Sequence, residues 1–332
     1  MIYPERLIED ERYAYAMGVI RSLEQRLLDR SRWERLIEAE TPDDALRTLA
    51  DSDYSAYLPE LSSPHEYERM LVRERERVHG LLERLMVDPE YLVYLRTPFD
   101  YHNLRIMLKA KIKEMNLSHL LTPFGNIPPA EMERIFQDER YDKLPSHLQV
   151  AVERGVVAYY EKYRMDMLDH AVDRCMFEYL TSLEFPFMRN YWRCVADLVN
   201  IRTVLRLDVR DEREKMRWVY IPGGFLPEKE FMAACDAGMD SFLHFISRFP
   251  YREVVEDGYS YLKRENSFLR FERLMEEFLL RYLSITRYHY MGPEVLVSYW
   301  GKKEQEIKNL RIVLSGKINR VPQEVIRERI AV

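Results

Sequence analysis

A chain of 332 residues with 47% hydrophobic and 32% charged content can bury a large core and has an ordinary globular balance. Its net charge of -6 arises from 50 basic and 56 acidic residues. Both signs are interspersed along the chain, unlike the concentrated basic footprint of a nucleic-acid or anionic-lipid binder, so no nucleic-acid contact is expected.

At the N-terminus, Glu5, Arg6, Glu9 and Asp10 leave no room for an apolar signal segment. Nowhere does the chain approach the roughly 18 uninterrupted apolar residues of a membrane span. The expectation is a soluble, cytoplasmic protein that could still sit on a membrane complex. Thr41-Pro42-Asp43-Asp44 precedes an apolar run, which reads as a helix N-terminus rather than a magnesium-binding acid box.

The segment 66–87 repeats Met70, Leu71, Val78, Leu81, Leu82 and Leu85 between Arg and Glu positions, the stripe of an amphipathic helix. Two similar long helices are predicted over about 149–184 and 266–290. Only 11 glycines occur, and Leu, Glu, Arg, Met and Lys fill the long segments, so the fold class is all-α with no convincing strand. The 23 tyrosines suit amphipathic seams between helices. Cys175, Cys194 and Cys235 form no CxxC pair, which argues for small core residues in a reducing compartment.

A search for self-similarity finds one motif three times. An acidic residue (Asp100, Asp197, Glu306) lies three positions before an Asn (Asn103, Asn200, Asn309), which is followed by Leu or Ile and then by Arg (Arg105, Arg202, Arg311). The punctuation repeats with it. Pro89, Pro186 and Pro293 precede the motifs, each after a long helix, and proline suits a helix start. Downstream, Pro128, Pro227 and Pro322, with Glu131, Glu228 and Glu324 close behind, predict further helix starts with negative charge at the positive helix end. Three helical repeats follow, over 1–124, 125–222 and 223–332.

On a helical wheel the apolar residues at -2, +1, +4 and +5 from each Asn form one stripe: Tyr101, Leu104, Met107 and Leu108; Leu198, Ile201, Val204 and Leu205; Ile307, Leu310, Val313 and Leu314. The acidic residue projects within that stripe, so it must be hydrogen-bonded or paired. The favoured reading is that each acid-Asn-Arg set braces its helix against a neighbour; a partner-recognising surface is the alternative. Lys111, Asp208 and Lys317 sit eight positions after the Asn. At about 16 Å along the helix from the acid, they must find other partners.

No catalytic constellation is legible. Ser315-Gly316-Lys317-Ile318 resembles the end of a P-loop, but Arg311 and Ile318 stand where Gly and Ser/Thr are required. Gly223-Gly224 reads as a turn. None of the eight histidines forms a closely spaced ligand pair, and His102 and His119 read as surface or cap residues. No cofactor, metal or small-molecule substrate is expected.

The three motifs, especially 304–312 with its Gln305-Glu306-Ile307-Lys308-Asn309-Leu310-Arg311, and the closing Gly316-Lys317-Ile318-Asn319 resemble the signature of the C subunit of the V-type/A-type rotary ATPases (ATP synthases), a relative of the eukaryotic d subunit. Tyr13-Ala14-Tyr15-Ala16, Asp51-Ser52-Asp53-Tyr54 and the 221–226 segment (Ile221-Pro222-Gly223-Gly224-Phe225-Leu226) agree. The resemblance covers essentially the whole chain. It implies a funnel of three helical bundles around a pseudo-threefold axis, seated on the membrane proteolipid ring and receiving the central shaft. It also implies a non-catalytic coupling role on the cytoplasmic side, in proton or sodium transport coupled to ATP. Arg206 and Asp208 depart from Lys109 and Lys111 of the first copy, and Ser315 departs from Lys109. A general helical scaffold and an all-helical metal enzyme using the acidic positions are the alternatives. A repeat of about 100 residues is long for a solenoid scaffold.

Overall fold

The computed structural model describes residues 7, 9–289 and 291–332; Glu5, Arg6 and Tyr290 lie outside the described residues. Strong helix formers at three-four spacing give the expected all-α architecture, and no strand occurs among the described residues. In chain order the α-helices are α1 (Ala14–Glu24), α2 (Arg30–Glu38), α3 (Pro42–Arg47), α4 (Tyr67–Leu85), α5 (Glu90–Lys113), α6 (Pro129–Gln137), α7 (Ser146–Lys162) and α8 (Met165–Leu180). They continue with α9 (Pro186–Val209), α10 (Met216–Val219), α11 (Glu228–Ala237), α12 (Met239–Ile246), α13 (Arg252–Glu265), α14 (Leu269–Leu283), α15 (Pro293–Ile318) and α16 (Gln323–Arg329).

Proline starts the helices as its chemistry demands: Pro186 and Pro293 open α9 and α15, and Pro89 sits at the N-cap of α5. Thr41 caps α3 by accepting the Asp44 N–H, with Asp43 and Asp44 in the first turn. The continuous helix expected over 149–184 is instead two. Tyr163 turns left-handed at φ 52°, ends α7 through its N–H to the Tyr159 carbonyl, and lets α8 fold back on α7. The helix expected over 266–290 runs as α14 and then tightens into a 3-10 turn, Ser284–Tyr288.

Two compact units result, Met1–Asp88 with Ile246–Val332, and Pro89–Phe245. In the first, α15 buries Ile307, Leu310, Val313 and Leu314 against Leu36, Leu49, Tyr54 and Leu71. In the second, α5 buries Tyr101, Leu104 and Leu108 against Met132, Leu148, Leu168 and Val172. Each fully buried Leu, Ile or Val is worth about 2 kcal/mol, so these stripes fix the motif helices in place. Each unit also holds a helical hairpin that crosses closely at a glycine. A Cβ on Gly155 would lie 3.1 Å from Val172 Cγ2 between α7 and α8, and one on Gly258 would lie 2.5 Å from Phe271 Cδ2 between α13 and α14. In both, the glycine stands eight positions before a left-handed cap, Tyr163 or Asn266.

Candidate functional site

The three motif helices, α5, α9 and α15, carry the predicted polar residues into the interior. Asp100, Asn103, Asp197, Asn200, Glu306 and Asn309 are all buried, with at most 5% exposure. Burial on that scale obliges each polar atom to find a partner.

The asparagines find theirs in a backbone clasp. Asn103 Nδ2 donates to the Thr122 carbonyl at 2.8 Å while its Oδ1 accepts the Thr122 N–H at 2.9 Å. Asn200 treats Ile221 alike, at 2.7 and 2.9 Å. A primary amide offers a donor and an acceptor side by side, so one side chain satisfies both backbone groups of a residue that belongs to no helix or sheet. Asn309 donates to the Ala331 carbonyl, but its Oδ1 accepts from Gln305 Nε2 instead.

The acidic residues hold the backbone just before the following helix. Asp100 accepts from the Ile127 N–H at 3.0 Å and Asn126 Nδ2 at 2.7 Å, ahead of α6. Asp197 accepts from the N–H groups of Phe225 and Leu226 at 2.8 and 3.1 Å, ahead of α11. Burial pushes the Asp100 carboxyl above its ordinary range, against the pull of the Ile127 and Asn126 donors. The loops approach these carboxylates because glycine stands there: a Cβ on Gly125 or Gly224 would collide with Asp100 or Asp197. Gly223-Gly224 is thus a close-approach segment, with Gly223 at φ +92°.

In the third copy the chain that meets the acidic residue comes from far away. Glu306 accepts from the Leu28 N–H at 2.6 Å, ahead of α2, across a sequence separation of 278 residues. Tyr54 Oη donates to the same carboxylate at 2.9 Å, and Lys303 Nζ lies 2.6 Å from it. Lys303, at 1% exposure, stands where the first two copies have Thr97 and Cys194. It also reaches Glu74 at 2.9 Å and Asp53 at 3.3 Å, and Arg77 and Arg26 complete a balanced set of three cations and three carboxylates. Burial works against the charge on Lys303, but Glu306 and Glu74 outweigh it and raise its proton affinity. The motif pattern contains no sign of this cluster; the lysine three residues before Glu306 is its one visible signal.

The arginines reach the long helices. Arg105 pairs with Asp173 and Asp169 on α8, and Arg311 makes a two-pronged pair with Glu68 on α4 at 2.7 and 2.9 Å. Arg202 is half-buried on α9 and is also engaged. The eighth position after the Asn behaves differently between copies. Lys317 donates to the carbonyls of Ile37 and Ala39 at the end of α2, which removes any phosphate-loop role for Gly316-Lys317, both inside α15. Lys111 pairs with Glu139 just past α6 at 2.6 Å, and lies exposed rather than on the apolar side. Asp208 faces Arg213 at 3.5 Å. In the first and third copies the motif helix therefore grips both ends of the nine-residue helix lying on it. Eleven residues of rise, about 16 Å, suffice to span the roughly 13 Å of α6 or α2.

Chemically, these carboxylates spend their lone pairs on backbone N–H groups and buried cations, an arrangement that fixes chain geometry and presents no proton carrier to a substrate. His102 is exposed with its Nε2 3.3 Å from the Leu120 carbonyl, and His119 is exposed. Among the described residues no cluster of His, Cys, Asp or Glu has a metal-holding arrangement, and no helix is long and apolar enough to cross a membrane. Cys175, Cys194 and Cys235 are free and buried.

Comparison with known proteins adds the family context. The model of the ATP synthase (C/AC39) subunit family matches residues 16–329. The C subunit of the A-type ATP synthase of Methanocaldococcus jannaschii is 24% identical, over 95% of this chain and 85% of that protein. The C subunit of the V-type sodium ATPase of Enterococcus hirae is 25% identical, over 94% of this chain and 95% of its own length. The corresponding A-type ATP synthase protein of Thermococcus gammatolerans, again a C subunit, is 26% identical, over 96% and 91%.

Proposed function

Because this chain belongs to the ATP synthase (C/AC39) subunit family, we propose that it is the non-catalytic central-stalk coupling element of a rotary V-type/A-type ATPase, linking the central shaft to the membrane proteolipid ring. It would transmit torque between ring and shaft on the cytoplasmic side, as a peripheral subunit held by protein contacts. The relatives' names include a sodium ATPase and several ATP synthases, so the reading extends to ATP-coupled proton or sodium transport without choosing between them.

The observation that carries the proposal is the recurrence of one brace. In each copy an acid and an Asn on a long helix grip non-helical chain beside short helices: α6 in the first copy, α11 in the second, and α2 and α16 in the third. In the third brace the acid is met by Leu28 from the N-terminal part of the sequence while the Asn holds Ala331 downstream, so the two ends of the sequence close one repeat, which supports three similar bundles about a pseudo-threefold axis. A coupler needs bundles that keep their shape under torque, and buried two-point clasps supply that stiffness. On this reading Asp100, Asn103, Arg105, Asp197, Asn200, Arg202, Glu306, Asn309 and Arg311 are braces rather than partner contacts.

Affinity capture of the tagged chain from detergent-solubilised membranes tests the assignment. Shaft subunits and the proteolipid ring should be retained together in fixed proportion. Recovery of the chain with soluble proteins alone would favour a general scaffold and overturn the proposal.

A further inference from the structure

His289 stands between two carboxylates where the start of the chain meets the loop leading into α15. Its side chain is 4% exposed; Nδ1 lies 3.2 Å from Glu9 Oε1, and Nε2 lies 3.6 Å from Glu294 Oε2. Glu9 also accepts the Met291 N–H through Oε2 at 2.6 Å, and the Asp10 N–H donates to the Met291 carbonyl at 3.2 Å. The segment carrying Glu9 and Asp10 is therefore docked on His289 and Met291 by a small set of polar contacts. Arg21 steadies the far side of the loop, donating to the carbonyls of Thr286 and His289 at 2.6 and 3.0 Å.

The proton count of this arrangement is the informative part. Nδ1 faces a carboxylate oxygen, so it must carry a hydrogen. Nε2 faces another carboxylate oxygen, and among the described residues neither Nε2 nor Glu294 Oε2 has a hydrogen-bond partner. A neutral imidazole beside an ionised Glu294 would set two acceptors against each other in a buried place, each left without a donor. One additional proton, on Nε2 or on Glu294, removes the conflict. Burial pushes the Glu294 carboxyl above its ordinary range, its own backbone N–H and His289 opposing. The other charges around the pair do not supply that proton: Asp10 is held by Arg12, which also pairs with Asp88, and Arg21 is engaged by Glu24 and the two carbonyls. Gly292 leaves the space the pair occupies, since a Cβ there would lie 2.5 Å from Nε2 and 2.6 Å from Glu294 Oε2.

We propose that the His289–Glu294 pair is a proton latch: taking up one proton closes the Glu9-Asp10 segment onto Met291, and losing that proton as pH rises loosens it. The sign follows from linkage, because a site that binds a proton more tightly when docked favours the docked form at low pH and forfeits that advantage as pH climbs through its own titration. The latch stands independently of the rotary assignment.

The test uses the full chain, with exchange protection of the Asp10 and Met291 amides measured from pH 5.5 to 9 and corrected for intrinsic rates. Histidine ring carbons are followed in parallel, and the His289 signal is identified by its loss in His289→Asn. Protection in the wild type should fall with pH at a slope approaching tenfold per unit for one linked proton. Glu294→Gln, whose amide can donate to Nε2 without any proton uptake, should keep the segment docked and flatten that dependence. A wild-type profile that is flat, or one that Glu294→Gln leaves unchanged, overturns the latch. So does a His289 ring signal that titrates with no change in Met291 protection, a result that needs no variant to fold.

Discussion

Replacing Asn200 by leucine isolates the energetic content of the asparagine clasp. Leucine keeps the branched skeleton of asparagine with bulkier methyl ends, so no cavity is created. What is lost is the pairing of the Ile221 N–H and carbonyl, both served by Asn200 at 2.9 and 2.7 Å. Ile221 is 5% exposed, so water cannot replace the lost partner. Leaving a buried backbone group unsatisfied costs about 1–3 kcal/mol, and two such groups give about 2–6 kcal/mol. For a unit of this size that lowers the melting midpoint by roughly 6–18 °C. Differential scanning calorimetry of the purified chain reads it directly. Asn103→Leu should cost less, because Thr122, held by the same pair of bonds, is only half-buried and water can replace part of what is lost. Asn309→Leu should cost about half, because only the Ala331 carbonyl is orphaned and Gln305 keeps its bond to Glu276 at 2.7 Å. A loss below about 1 kcal/mol for Asn200→Leu, or an Asn309 variant hit harder than the other two, would refute the clasp as a source of stability.

Alanine at Gly125 or Gly224 should destabilise the second unit, because the new Cβ collides with Asp100 or Asp197, whereas Gly18→Ala, with nothing within 4 Å, should stabilise α1 by about 0.5–1 kcal/mol in the same calorimetric series. Lys303→Met should cost about 3–5 kcal/mol by stranding Glu74 and Glu306 in the core, and urea denaturation will show it as a shifted midpoint. His147 stacks on Tyr179 at 4.0 Å, and burial lowers its pKa to about 4. Since the unfolded imidazole takes up its proton near pH 6.5, the stability this neutral ring supports is present above that value and drains away as pH falls toward 4. His147→Phe should remove that part of the acid sensitivity, as seen in melting curves collected between pH 4 and 7.

The all-α class, the helix starts at Pro186 and Pro293, and the burial of the acid-Asn pairs are legible in the sequence because each rests on local pattern: three-four spacing, proline chemistry, and position on a wheel. The clasp partners are not. Thr122, Ile221 and Ala331 lie 19, 21 and 22 residues beyond their asparagines, in loops whose conformation no periodicity encodes. Leu28 meets Glu306 from the other end of the sequence. The break between α7 and α8 is hidden because Tyr163 carries no turn signature of its own. Its signal lies in the equal spacing of Gly155 to Tyr163 and of Gly258 to Asn266, which marks two copies of one hairpin. A wheel misplaces Lys111 because the long side chain reaches out to Glu139 from a backbone position that counts as inward.

The coupling role itself is most directly tested by depletion and add-back. Membrane vesicles carrying the rotary ATPase without this chain, supplied with ATP, should hydrolyse it while failing to move ions, and adding the purified chain should restore transport together with its dependence on hydrolysis. Ion transport that proceeds at the same rate per ATP without the chain would contradict the account.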